Sequence, residues 1–152
     1  MLVLNSIESN ILRKKFVKHF VDTGSDYYKE RIERLIEFCD GMCYEGYLWD
    51  CLSFSTPMTE NELSKFLANK KNVYVMWDIH SCERILMLNY WKYPKDSVLL
   101  LNRWIPTVMN SLPEDIYIFD DTFTWSAIYT HETDKNGDRY CVYSTSTTVK
   151  QV

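Results

Sequence analysis

The chain has 152 residues, 46% of them apolar and 15% aromatic, enough length and core-forming material for one folded domain and too much for a disordered segment. Its 17 basic and 21 acidic residues leave a formal charge of −4, which argues against a general nucleic-acid binder and in favour of a basic partner. No basic segment followed by a long apolar run opens the chain, no window approaches the roughly 20 apolar residues of a bilayer span, and five cysteines at irregular spacing fit reduced thiols, so a soluble cytoplasmic protein is expected.

Residues 6–21 read as a first helix capped by Ser6, with Leu12, Phe16, Val17, Phe20 and Val21 at helical spacing. Arg13, Lys14, Lys15 and Lys18 fall on or near its outer side and read as a solvated face. Asp22 to Ser25 is loop chemistry, and a second helix is expected from about residue 26 to 39, ending at Asp40-Gly41, with Tyr28, Ile32, Leu35, Ile36 and Cys39 as its stripe. Residues 44–54 alternate as a strand does, with Tyr47, Trp49, Cys51 and Ser53 on one face and Asp50 on the other, where it needs solvent or a partner. Cys39, Cys43 and Cys51 lack the paired spacing of a structural zinc site, and no metal is assigned.

Thr59 and Glu62 form a capping box for a short third helix, and residues 73–77 form a strand. His80 and Cys82 lack the signature of an activated thiol, so no catalytic residue is assigned there. Residues 83–91 read as a strand, and Ser97 caps a fourth helix through Val98, Leu101, Ile105, Val108 and Met109. Pro106 must kink that helix or restart it in a first turn.

The centre of the chain is residues 115–132, two strands around Asp120-Asp121-Thr122. Asn136-Gly137 marks the next hairpin, whose two-residue type I′ turn sets Asp134 opposite Arg139, Glu132 opposite Cys141, His131 opposite Val142 and Thr130 opposite Tyr143. Residues 140–145 complete a three-stranded C-terminal meander, their Ser/Thr-rich end suits an exposed edge, and 147–152 is a loose tail. The expected fold is a single α+β domain, an antiparallel or mixed sheet with about four helices packed on it.

The block LPEDIYIFDDTFTWSAIYTHE (112–132), with GYLWDCLSF (46–54), resembles the family of small bacterial proteins catalogued as domain-of-unknown-function 4275, over about a quarter of the chain. The resemblance implies a small cytoplasmic bacterial protein and brings no catalytic residues. By analogy of size and acidity, such proteins look like the immunity proteins encoded beside polymorphic or contact-dependent toxins.

Three readings follow. In the first, the chain is an immunity protein that blocks a basic toxin domain, such as a nuclease, through Asp120, Asp121, Trp125, Glu132 and Asp134, with no cofactor, metal, nucleic acid or membrane involved. In the second, a small hydrolase-type enzyme uses His131 with nearby carboxylates; strand alternation sends Glu132 to the other face, while Trp125, Tyr129 and His131 share one. The third is an interaction or regulatory module with a partner other than a toxin. Composition leaves the oligomeric state open.

Overall fold

The strands Lys71–Trp77 (β5), Ile116–Phe119 (β7) and Trp125–Thr133 (β8) are apolar at nearly every position over their central residues because both faces of the sheet they form are covered. On one face Val73, Val75, Trp77, Ile116, Ile118, Trp125, Ala127 and Tyr129 meet Leu63 and Leu67 of the helix Glu60–Leu67 (α3). On the other Met76, Tyr117, Phe119 and Ile128 meet Phe16 and Phe20 of the helix Ser6–Phe20 (α1) and Leu48 of the segment 44–54. This is the period-two logic of a strand applied to two cores at once. The computed structural model describes residues 1–84 and 92–147.

The sheet has seven antiparallel strands in the order β1-β6-β5-β7-β8-β9-β4, where β1 is Leu2–Val3, β4 Ser55–Met58, β6 Leu99–Arg103 and β9 Arg139–Thr145. A separate hairpin pairs Ile36–Phe38 (β2) with Gly41–Cys43 (β3). The α+β class and the β7-β8-β9 meander are as expected from the sequence, and so are the capping box of α3 and the strand through 73–77.

Several expectations are corrected. The cap of α1 is Asn5, whose Oδ1 accepts the Glu8 N–H at 2.8 Å, and not Ser6. The second helix is cut to Asp26–Tyr28 (α2) and a π turn, Lys29–Glu33, because the Arg31 carbonyl accepts the N–H groups of Glu45 and Gly46 at 2.8 and 3.2 Å. The chain then reverses through Cys39-Asp40 into Gly41, whose φ of 110° only glycine adopts without strain. Residues 44–54 are a loop with a short 3₁₀ turn, Leu48–Cys51, in place of a strand.

The proposed helix after Ser97 is strand β6, since the run from Val98 to Leu101 fits between β1 and β5 and puts Leu99 and Leu101 in the core. A short apolar run does not itself distinguish the two states. Pro106 does begin a new first turn, that of the 3₁₀ segment Pro106–Ser111. Strand β9 is no edge, because β4 pairs along it from Ser55↔Ser144 to Met58↔Cys141. The strand expected over 83–91 falls mainly on residues outside those described, as does most of the 147–152 tail. Among the described residues no helix is long and apolar enough to cross a membrane.

The Asn136-Gly137 hairpin forms with a different turn and register. Only Gly137 has positive φ; Asp134 Oδ1 accepts the N–H groups of Asn136 and Asp138, and the Asp134 N–H reaches the Asp138 carbonyl at 2.7 Å. This is a type I turn closed by a glycine bulge. Thr133 opposes Arg139, yet Tyr129 opposes Cys141, so the ladder shifts between residues 129 and 133.

Candidate functional site

Three consecutive backbone N–H groups of the 44–52 loop are satisfied by side chains from distant parts of the chain. Tyr47 N–H donates to the Tyr27 phenol oxygen at 3.0 Å, Leu48 N–H to Asp78 Oδ1 at 2.9 Å, and Trp49 N–H to the Tyr117 phenol oxygen at 3.0 Å. The two phenols then pass the polarity on: Tyr27 donates to Asp50 Oδ2 at 3.1 Å and Tyr117 to Asp78 Oδ2 at 2.7 Å. Gly46 admits this arrangement, because a Cβ there would lie 2.9 Å from Tyr27 Cζ. Side chains thus hold the middle of the loop, its buried donors being paired as folding requires, while Leu52 at its end bridges Val21.

The consequence is that Tyr47 and Trp49 project, half-buried, toward the end of β8. Asp115 is the hub. Its Oδ1 accepts from Trp49 Nε1 at 3.1 Å and from the His131 N–H at 3.0 Å, and His131 Nδ1 lies 3.0 Å from both carboxylate oxygens. The His131 ring is 5.1 Å from Tyr47 and 6.3 Å from Trp49, centroid to centroid; Tyr140 lies 6.2 Å from Trp49, and the buried His80 meets Tyr47 edge-on at 4.5 Å. His131 keeps 35% of its side chain exposed.

The ladder shift in β8 places His131 here. Plain alternation would set it beside Trp125 and Tyr129 over α3, where Tyr129 packs against Trp104 and reaches Ser64. The irregularity turns it to the opposite face, which corrects the expected common face for Trp125, Tyr129 and His131. It is held by Thr130, whose hydroxyl donates to the Tyr140 carbonyl at 2.8 Å and accepts the Glu132 N–H at 3.2 Å.

Beneath the aromatic surface the polar groups are strongly perturbed. Burial pushes the Asp78 carboxyl up to about 8 despite the opposing hydrogen bonds from Leu48 and Tyr117. Burial, with Asp50 adding to it, pushes the Tyr27 phenol up to about 12; Tyr47 and Tyr117 are raised further, by burial first and then by Asp115 and Asp78 respectively. His80 is lowered by burial and bonds the Gly46 carbonyl through Nε2 at 2.8 Å, so that nitrogen carries the proton. Arg13, expected on the solvated face of α1, is only 7% exposed and donates to the carbonyls of Trp77, Lys95, Asp96 and Ser97 at 2.8 to 3.0 Å. It ties the end of β5, and so Asp78, to the start of β6.

The residues expected to bind a partner do not converge. Trp125 is 4% exposed, in the α3-side core, and its Nε1 donates to Asp120 Oδ2 at 3.0 Å. Asp120 also accepts the Thr122 N–H at 3.0 Å and its hydroxyl, so it organises the turn, whereas Asp121 is exposed beside it. Glu132 is exposed on β8, and Asp134 lines a groove with Glu60, Asn61 and Asp138 between α3 and the β8-β9 hairpin. His131 and Asp50 do join the cluster; Tyr47, Trp49, Asp115 and Tyr140 are additions that the structure makes. Chemically, Asp115 orients the imidazole with Nδ1 toward the carboxylate and leaves Nε2 for a ligand, while the rings of Tyr47, Trp49 and Tyr140 offer π faces and Asp50 a further carboxylate.

The His80 imidazole is engaged with the Gly46 carbonyl, and the Cys82 thiol is raised by Asp40 first and burial second. The stretches 46–54 and 112–132 meet at this cluster through the Trp49, Asp115, Tyr117 and His131 contacts. No family model, no curated protein and no solved structure matches this chain.

Proposed function

We propose that this protein is a cytoplasmic immunity protein, of the kind suggested by its resemblance to the domain-of-unknown-function 4275 family, which neutralises a basic toxin domain by covering its active site. The observation that carries the reading is one surface on which the half-exposed Tyr47, Trp49 and Tyr140 surround the Asp115–His131 pair and adjoin Asp50, in a chain of net charge −4. Aromatic anchors beside carboxylates suit lysine and arginine side chains, with ring faces for the cation and acidic groups to speed encounter. Glu132, Asp134 and Asp121 extend the acidic character over neighbouring surfaces.

Co-expression with the toxin domain encoded beside this chain should rescue growth and yield a complex that co-purifies. Tyr140→Ala should weaken that complex by about 2 kcal/mol or more, as a central anchor does. Neither rescue nor co-purification with any neighbouring toxin would sink the proposal.

The Asp115–His131 pair favours a second reading, a hydrolase-type enzyme with Nε2 of His131 as general base. Among the described residues the imidazole bonds only Asp115, and no nucleophile is held against it. His131→Gln separates the two readings: an enzyme loses turnover, whereas an inhibitor retains rescue with altered affinity.

A further inference from the structure

A second cluster lies away from this surface, where the turn between β2 and β3 meets residues 81–84. Each segment holds the other's carboxylate: the Cys39 N–H donates to Glu83 Oε2 at 3.1 Å, and the Cys82 N–H to Asp40 Oδ2 at 2.9 Å. Cys39 Sγ, an Asp40 oxygen and a Glu83 oxygen all lie within 4.8 Å of one another. Cys82, exposed like Cys39, stands next to Glu83 on the same segment. A positive charge is already stabilised on the inner side, where Lys95 Nζ lies 3.1 Å from Asp40 Oδ2 and 3.2 Å from Cys43 Sγ.

We propose that Cys39, Asp40, Cys82 and Glu83 form a binding site for a thiophilic divalent cation of the zinc class. Two sulfur and two oxygen donors match the four-coordinate preference of such an ion. Bonds of roughly 2.0–2.3 Å set tetrahedral ligands about 3.3–3.8 Å apart, so Cys39, Asp40 and Glu83 need to draw together by about 1 Å, and the exposed Cys82 side chain next to Glu83 has to rotate inward to supply the fourth donor. The reciprocal backbone N–H bonds orient both carboxylates toward the thiols, the supporting arrangement that metal-ligating carboxylates require. Lys95 offsets part of the charge left by two thiolates and two carboxylates around a dication. The sequence hides the site because its cysteines come from segments 43 positions apart, while the nearer set of Cys39, Cys43 and Cys51 has the wrong spacing.

Binding turns both thiols into thiolates and releases their two protons to solvent, with no change of oxidation state. Because each thiol must lose its proton to bind the ion, affinity should rise with pH. The test is titration of the reduced, full-length protein with cobalt(II), followed by zinc(II). One equivalent of cobalt should give a thiolate-to-metal charge-transfer band that zinc abolishes, with about two protons released per zinc in a weakly buffered indicator assay. The double variant Cys39→Ser, Cys82→Ser alters two exposed side chains and should keep its far-UV spectrum while losing about 100-fold in affinity; Glu83→Gln should lose about 10-fold. Absence of the charge-transfer band at one equivalent, or unchanged affinity in the folded double variant, overturns the proposal.

Discussion

Asp78 offers the sharpest quantitative test of how the 44–52 loop is held. Its carboxyl is buried between Leu48 N–H and the Tyr117 hydroxyl, and burial pushes it up to about 8 from the ordinary 3.8. Between those values the native state holds a proton that the unfolded state has released. Stability is therefore fully present below pH 3.8, falls as pH rises, and stops falling once pH passes about 8. A shift of one pH unit inside the window costs on the order of 1 kcal/mol, so moving from pH 5 to pH 7 costs about 3 kcal/mol from this group alone. For a domain of this size that corresponds to a fall in Tm of roughly 5–10 °C.

Asp78→Asn removes the titration while keeping an oxygen for the Leu48 N–H. The measurement is Tm by circular dichroism for both proteins at half-unit steps from pH 4.5 to 8.5, taken as a difference so that other titrating groups cancel. The wild-type advantage should decline by roughly 5–10 °C from pH 5 to 7, and Trp49 fluorescence should follow it if the loop responds as well. A difference that stays constant within about 2 °C would mean that Asp78 ionises normally in the native state.

The remaining predictions concern the supports of the sheet and its turns. Arg13→Met leaves the carbonyls of Trp77, Lys95, Asp96 and Ser97 without their donor and should destabilise by about 3 kcal/mol or more, measured by urea unfolding. Gly46→Ala drives a Cβ into Tyr27 and should cost about 1–3 kcal/mol on the same assay, with the Tyr47 environment altered in near-UV circular dichroism. Asp120→Lys should lower Tm by several degrees because it strips Thr122 and Trp125 of their acceptor, whereas Asp121→Lys should leave Tm within about 2 °C. Thr59→Ala should cost about 1 kcal/mol through loss of the α3 capping box.

What could be read from the sequence divides by the range of the interaction responsible. The capping box at Thr59, the Pro106 restart and strands β5, β7 and β8 depend on neighbours within a few positions, and all of them form. Helical spacing from 26 to 39 was equally local, but it lost to a carbonyl diverted by Glu45 and Gly46 and to a turn at Gly41. Residues 44–54 show the limit most clearly. Their alternation is real, and Tyr47 and Trp49 do share a side, yet a strand needs a partner ladder, and here the donors go to Tyr27, Asp78 and Tyr117, 20, 30 and 68 positions away. The candidate site inherits that character. Asp115 and His131 sit in one legible hairpin, but their contact requires an irregularity in β8 that period-two reading erases, and Trp49 reaches them only because three distant side chains replace a missing strand. The aromatic surface is therefore a product of the loop's anchoring. A change at Asp78, Tyr117 or Tyr27 should weaken partner binding without touching the partner, whereas Tyr140→Ala should weaken it with the fold intact, and comparing the two sets separates anchoring from recognition.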